Sequence, residues 1–152
     1  MAELVIRHVA GKDFDQWLKL WNGYNAFYGR VGKAALRSDV TEATWSRLLD
    51  PAEPMHGLVA LSDRRIIGLA HYLFHRSTIS IAPTCYLPDL FTLPAFRGRG
   101  VASALIRRVF EEARNGGSER LYWQTHESNT PARHLYDRFA EQSGFIVYRV
   151  FL

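Results

Sequence analysis

The run from Leu87 to Ala102 limits the fold of this chain more than any other stretch. Leu87-Pro88-Asp89-Leu90-Phe91-Thr92-Leu93 reads as a buried strand, Pro94 to Gly100 as a tight loop, and Val101-Ala102 as the start of a helix. The loop, which includes Arg97-Gly98-Arg99-Gly100, sets two glycines where the backbone must turn sharply. Glycine lets successive N–H groups face one way, and a helix N-terminus adds a partial positive charge. Such a corner is an anion site suited to a phosphate or pyrophosphate.

The rest of the chain supplies what this corner needs to pack against. Its 152 residues suit one domain, residues 1–152, with a real hydrophobic core; 47% are hydrophobic and 22% charged. No apolar run is long enough to span a membrane, so no membrane partner is expected. Met1 to Arg7 lacks the basic-then-apolar pattern of a signal peptide, and the single cysteine, Cys85, suits a reducing cytoplasm. The net charge of +4 is too modest for nucleic-acid binding without a concentrated patch. Arginines cluster around the glycine loop (Arg97, Arg99, Arg107, Arg108), which fits a small anionic molecule better.

Leu4 to His8 opens as a strand, and Asp13 with Gln16 has capping-box spacing. Phe14, Trp17, Leu18, Trp21, Tyr24 and Tyr28 follow at helical spacing; Tyr24 and Tyr28, near the helix end, suit either core packing or a substrate wall. Gly29 to Asp39 reads as a loop, and Thr41 as the cap of a second helix ending at Asp50-Pro51. Gly57–Leu61 and Ile66–Phe74 read as an antiparallel hairpin across Ser62-Asp63-Arg64-Arg65. After the strand at Cys85–Leu93, Ala102, Leu105, Ile106, Val109, Phe110 and Ala113 form a continuous apolar stripe closed by Asn115-Gly116-Gly117. Leu121–Thr125 is the next strand, parallel to the one before the crossover helix. Thr130 and Pro131 open another helix, and Phe145–Phe151 reads as a closing strand. The pattern is α/β with a mixed sheet.

Two familiar phosphate loops do not fit. A Walker loop ends in Gly-Lys-Ser/Thr, which is absent, and the dinucleotide fingerprint has a third glycine where Ser103 stands. Arg97-Gly98-Arg99-Gly100-Val101-Ala102 instead resembles the Arg/Gln-x-x-Gly-x-Gly/Ala signature of the GCN5-related N-acetyltransferases (GNAT). Asn129-Thr130-Pro131-Ala132-Arg133-His134-Leu135-Tyr136 is similar to the Asn-x-x-Ala-x-x-Leu/Phe-Tyr segment of that family, and Gly144-Phe145 to its closing Gly-Phe. The stretches Tyr86–Phe91 and Tyr122–Asn129 look most like its histone/polyamine acetyltransferase branch.

This resemblance implies a mixed, mostly antiparallel sheet flanked by helices and splayed between two parallel central strands. It also implies acetyl transfer from acetyl-CoA to a primary amine of a small molecule or peptide, by direct attack in a ternary complex. Backbone N–H groups of Arg99, Gly100, Val101, Ala102 and Ser103 would hold the pyrophosphate, with Gly98 free of a Cβ and Arg97 and Arg99 adding charge. The acyl arm would lie along Phe91, Thr92 and Leu93, with a backbone N–H near Leu93 as oxyanion donor and Asn129 bonding the arm. Periodicity alone makes Tyr136 a core residue; the resemblance makes it the general acid for the departing thiolate.

The general base is open. Related polyamine acetyltransferases carry Glu-Asp where this chain has Pro88-Asp89, so Asp89 is the first candidate, directly or through water. It could equally be a structural carboxylate, with His71, Glu127 and His126 as alternatives. Tyr24, Tyr28, His71 and Glu127 are candidate substrate contacts, suited to a cationic amine beside aromatic walls. Cys85 reads as packing rather than an acylated nucleophile. The resemblance also makes a homodimer the expectation, with the apolar C-terminal strand as contact. The rival reading is a non-catalytic acyl-CoA sensor; a metal site is not expected from one cysteine and scattered histidines.

Overall fold

The computed structural model describes residues 2–152. Five strands, β1 (Leu4–His8), β2 (Met55–Ser62), β3 (Arg65–His75), β4 (Thr84–Thr92) and β5 (Arg120–Trp123), form one sheet in the order β1-β2-β3-β4-β5. All neighbours are antiparallel except β4 and β5, which are parallel. The β2–β3 hairpin turns through Asp63 and Arg64, both at positive φ (48° and 64°), as in the type I′ turns whose twist matches that of the strands.

Helices α1 (Phe14–Phe27) and α2 (Ser38–Leu49) cover one face of the sheet. Trp17, Leu20, Trp21, Val59, Ile66, Leu69 and Phe91 are buried between them and the strands. Helices α3 (Val101–Asn115) and α4 (Thr130–Tyr136) sit on the other face. There Leu105, Ile106, Val109 and Ala113 of the predicted stripe are buried, Ala102 and Phe110 are half-buried, and Val101 at the helix start joins the core. Truncating one of the larger side chains to alanine is expected to cost about 2–5 kcal/mol. A Cβ on Gly68 would meet Val101 at 2.8 Å, so β3 needs glycine for the first turn of α3 to come this close.

The start of α1 falls where the sequence reading puts it, and those of α2 and α4 do not. Asp13 is the N-cap of α1 but does not cap it with its side chain. Its carboxylate takes Arg7 Nη1 and Nη2 at 2.7 and 2.9 Å and the Ala10 N–H at 2.8 Å, an ion pair that competes successfully for the capping oxygen. Helix α2 begins three residues before Thr41, whose hydroxyl accepts a bond from Trp21 Nε1 instead. Asn129, not Thr130, is the N-cap of α4.

The largest correction is at the C-terminus. The segment Phe145–Phe151 forms no strand; residues 141–152 run as an exposed arm, with Phe145 91% and Val147 66% accessible. Strand β5 is therefore the sheet edge rather than a central strand. The alternation that predicts a strand says only that its faces want burial, and this chain's own body does not bury them.

Candidate active site

The glycine loop is built as its sequence requires. Gly98 and Gly100 have φ of 74° and 80°, conformations that cost an L-residue energy, and open space lies where their Cβ atoms would be. The N–H groups of Val101, Ala102 and Ser103 have no acceptor within their own helix, and the first turn of α3 carries no acidic residue. This corner therefore fits a pyrophosphate. The arginines divide the labour. Arg97 folds back, donating from Nε to the Thr92 carbonyl at 3.2 Å and covering Phe91, so it braces the loop. Arg99 and Arg65 both stack on Phe96, at 5.4 and 5.3 Å, which leaves two guanidinium groups beside the corner.

The β4–β5 pairing ends at Leu87–Trp123, while β4 continues to Thr92. The splay thus opens along Pro88–Thr92. On the β3 side the register slips by one residue between His71–Asp89 and Leu73–Tyr86, so Leu87 and Pro88 together oppose Tyr72. The bulge lies at Pro88, which has no N–H to pair. Leu93 is not free to serve as oxyanion donor, because its N–H donates to the Ile67 carbonyl at 2.9 Å. Peptide groups alternate along a strand, so the N–H groups of Leu90 and Thr92 are the ones aimed at the gap. The Thr92 hydroxyl is buried there without a partner among the described residues.

Tyr24, Tyr28, Pro88, Leu90, Trp123 and Tyr136 line the mouth of this gap, with Gln124. Tyr136 closes α4 and meets Trp123 edge-on at 5.5 Å. Burial, with a smaller contribution from Tyr28, pushes its hydroxyl up to about 12, so it holds its proton at neutral pH. The Tyr24 hydroxyl donates to the Pro88 carbonyl at 3.0 Å. Burial, and then the charge of Asp89, push it well above the usual phenol range.

Asp89 is cross-strand from His71, and the pair is explained by that register. The Trp17 indole Nε1–H donates to His71 Nε2 at 3.0 Å. That leaves Nδ1 as the protonated nitrogen, donating to Asp89 Oδ2 at 2.8 Å. His71 is 3% exposed, so it stands behind Asp89 and cannot line the pocket, whereas the Asp89 side chain keeps 18% of its surface.

The remaining candidates are spread out. Asn129 donates to the Thr125 hydroxyl at 3.2 Å. Glu127 and His126 are exposed on the loop before α4; the Glu127 carbonyl accepts Arg133, and His126 bonds Ser128. Neither lines the gap. Cys85 is buried in the core, which raises its thiol to about 11. Among the described residues no group of three or more His, Cys, Asp or Glu could hold a metal. Sequence reasoning missed Trp17 as the partner that fixes the His71 tautomer, and Trp123 and Gln124 as wall residues. Only their place at the end of β5, beside the bulge, marks the latter two.

The acetyltransferase (GNAT) family model matches residues 16–140. The chain belongs to the GNAT family of acetyltransferases. It is 30% identical over 148 residues to the D-amino-acid N-acetyltransferase HPA3 of Saccharomyces cerevisiae, covering 96% of this chain and 89% of that protein. It is 28% identical over 101 residues to the thialysine N-epsilon-acetyltransferase of Caenorhabditis elegans, covering 63% of this chain and 62% of the relative. The structure of AAC(6′)-Iy with the bisubstrate analogue CoA-S-monomethyl-acetylneamine superposes with a TM-score of 0.81 at 24% identity, covering 99% of this chain and all of that one. This GNAT protein is thus an N-acetyltransferase, with acetyl-CoA as co-substrate and an amine as acceptor.

Proposed function

We propose that residues 1–152 act as one N-acetyltransferase domain that acetylates the primary amine of a small molecule by direct attack in a ternary complex. The observation that carries this is the gap beyond Leu87–Trp123. Leu90 and Tyr136 line its mouth, the strand N–H groups of Leu90 and Thr92 face it, and the part-exposed carboxylate of Asp89 stands on the same stretch of β4.

The N–H groups of Val101, Ala102 and Ser103, with Arg99 alongside, bind the pyrophosphate end. Phe91 and Thr92 border the acyl arm, and Asn129 stands at the entry to α4, on its far side. Asp89 accepts a proton from the incoming ammonium, directly or through water, since a free alkylamine is mostly charged at neutral pH. His71, held by Trp17, orients that carboxylate. The amine nitrogen then bonds to the thioester carbonyl carbon. The developing oxyanion faces the Leu90 N–H, the C–S bond breaks, and Tyr136 gives its proton to the thiolate. Tyr24 and Tyr28 form the acceptor wall. D-Amino acids, the acceptors in the name of the yeast relative, fall within the small-amine class.

A thiol-release screen with acetyl-CoA against amines, polyamines, amino acids and peptides tests the reading. Product with at least one small amine is expected; coenzyme A binding with no product across the panel would leave a sensor. Substituting Asp89→Asn should abolish the acidic limb of the pH–rate profile, and a limb that stays in place would remove Asp89 as base.

We also infer that two copies associate through the arm. Phe145, Val147 and Phe151 lie on one face of an extended 145–152 segment, and Ile146, Tyr148, Val150 and Leu152 on the other. A segment apolar on both faces suits an interior strand, and the edge of β5 is open to receive one from a partner. The buried thiol and the lack of a disulfide suit the cytoplasm as its location.

A further inference from the structure

Arg30 stands apart from the basic residues around the glycine loop. It follows α1 in the turn that closes that helix. Gly29, at φ 77°, donates to the Ala26 carbonyl, and the Arg30 N–H reaches back to the Asn25 carbonyl at 2.9 Å. This pair of bonds is a Schellman closure, which fixes the Arg30 backbone. Its side chain is fixed as well. The Nε–H donates to Asn25 Oδ1 at 2.6 Å, and buried Asn25 is itself anchored by donating to the Trp21 carbonyl at 2.9 Å. The guanidinium lies over Tyr24 and Tyr28, at 5.7 and 5.4 Å from the ring centres.

Those contacts use Nε and the guanidinium face. They leave the terminal nitrogens, and no carboxylate among the described residues lies within ion-pair distance of them. A guanidinium held in place with its terminal nitrogens free is suited to taking a carboxylate. Arg30 also borders a cavity of about 270 Å³ between the end of α1 and the start of α2, with Asn22, Val31, Leu36 and Thr41.

Tyr24 joins this cation to the reaction centre. Its ring carries Arg30, while its hydroxyl bonds Pro88, next to Asp89. The acceptor side of the site is therefore bipolar: a carboxylate for an ammonium next to the residue that holds the Tyr24 hydroxyl, and a guanidinium over the Tyr24 ring. We propose that the acceptor is an amino carboxylate, a free amino acid, whose carboxylate is bound by Arg30 while its amine lies at Asp89. This rests on the acetyltransferase reading above and adds to it the acceptor's second charge and the residue that selects for it.

The test compares kcat/KM for free amino acids of both hands with their primary amides and decarboxylated amines. In the wild type the free acids are expected to lead by at least about tenfold, the worth of a good charge-assisted contact. In Arg30→Gln the acid-to-amide ratio should fall at least about tenfold. Arg30→Lys, which keeps the charge but not the fork, should restore it in part. Thermal melting and coenzyme A binding report on folding. Amides acetylated as well as acids overturn the proposal while leaving the acetyltransferase reading intact. So does an Arg30→Gln variant that loses stability but keeps the ratio, which would make Arg30 only a helix-end cation. No acetylation of any amine would overturn both.

Discussion

Helix α3 and the C-terminal arm are both apolar segments with a glycine at positive φ near their start, Gly100 before one and Gly144 within the other. Their fates are opposite. The apolar stripe of α3 is buried against β3 and β4, and the first N–H groups of the helix have no side-chain cap. The arm carries seven apolar residues among its last eight and buries none of them. An apolar pattern therefore states that a surface will be covered, and the surrounding body decides whether the cover comes from the same chain. At α3 the cover is the sheet; at the arm it is, on our reading, a second copy.

The comparison breaks first at the arm. Replacing Ile146 and Val150 with lysine puts two charges where two apolar side chains would be buried. Self-association should weaken by at least about a hundredfold, read as a shift from dimer to monomer in sedimentation. A wild-type monomer at high concentration would remove the dimer. At the other segment, Gly100→Val forces a β-branched residue into left-handed backbone at the anion corner. The KM for acetyl-CoA should rise about thirtyfold while the dimer persists. Tyr136→Phe, beside the gap, should lower kcat at least about tenfold with little change in coenzyme A affinity; unchanged turnover would sink the general-acid role.

The smallest effect lies away from both segments. The hydrogen bond from Arg7 holds the Asp13 carboxyl below its ordinary value of 3.8, against the upward push of burial. A depressed carboxyl contributes stability above that ordinary value and loses it as pH falls through the folded one. Asp13→Asn should therefore cost about 1 kcal/mol at pH 7, and its melting curve should converge with the wild type in acid.

Most of the sheet, the hairpin, the crossover helix and the glycine corner were legible because each depends on near neighbours in sequence. Gly98-Arg99-Gly100 and the α3 stripe carry their own instructions. Details set by distant partners were not legible. The Asp13 carboxylate prefers Arg7 to its helix, and the Thr41 hydroxyl is claimed by Trp21 from another element. Leu93 could not be excluded as an oxyanion donor until its pairing with Ile67 was known. Similarly, His71 reads as a candidate substrate contact or base until the register puts it between Trp17 and Asp89.

The stack of indoles around Trp17 has an optical consequence. Trp17 lies 5.6 Å from Trp21 at an interplanar angle of 13°, and 4.7 Å from Trp45. Chromophores this close share their excited states, so the circular dichroism of the protein should carry a split indole band. Because Trp17 also holds His71, that band is an intrinsic spectral gauge of how firmly α1 presses on β3. It can be followed during turnover with no label attached.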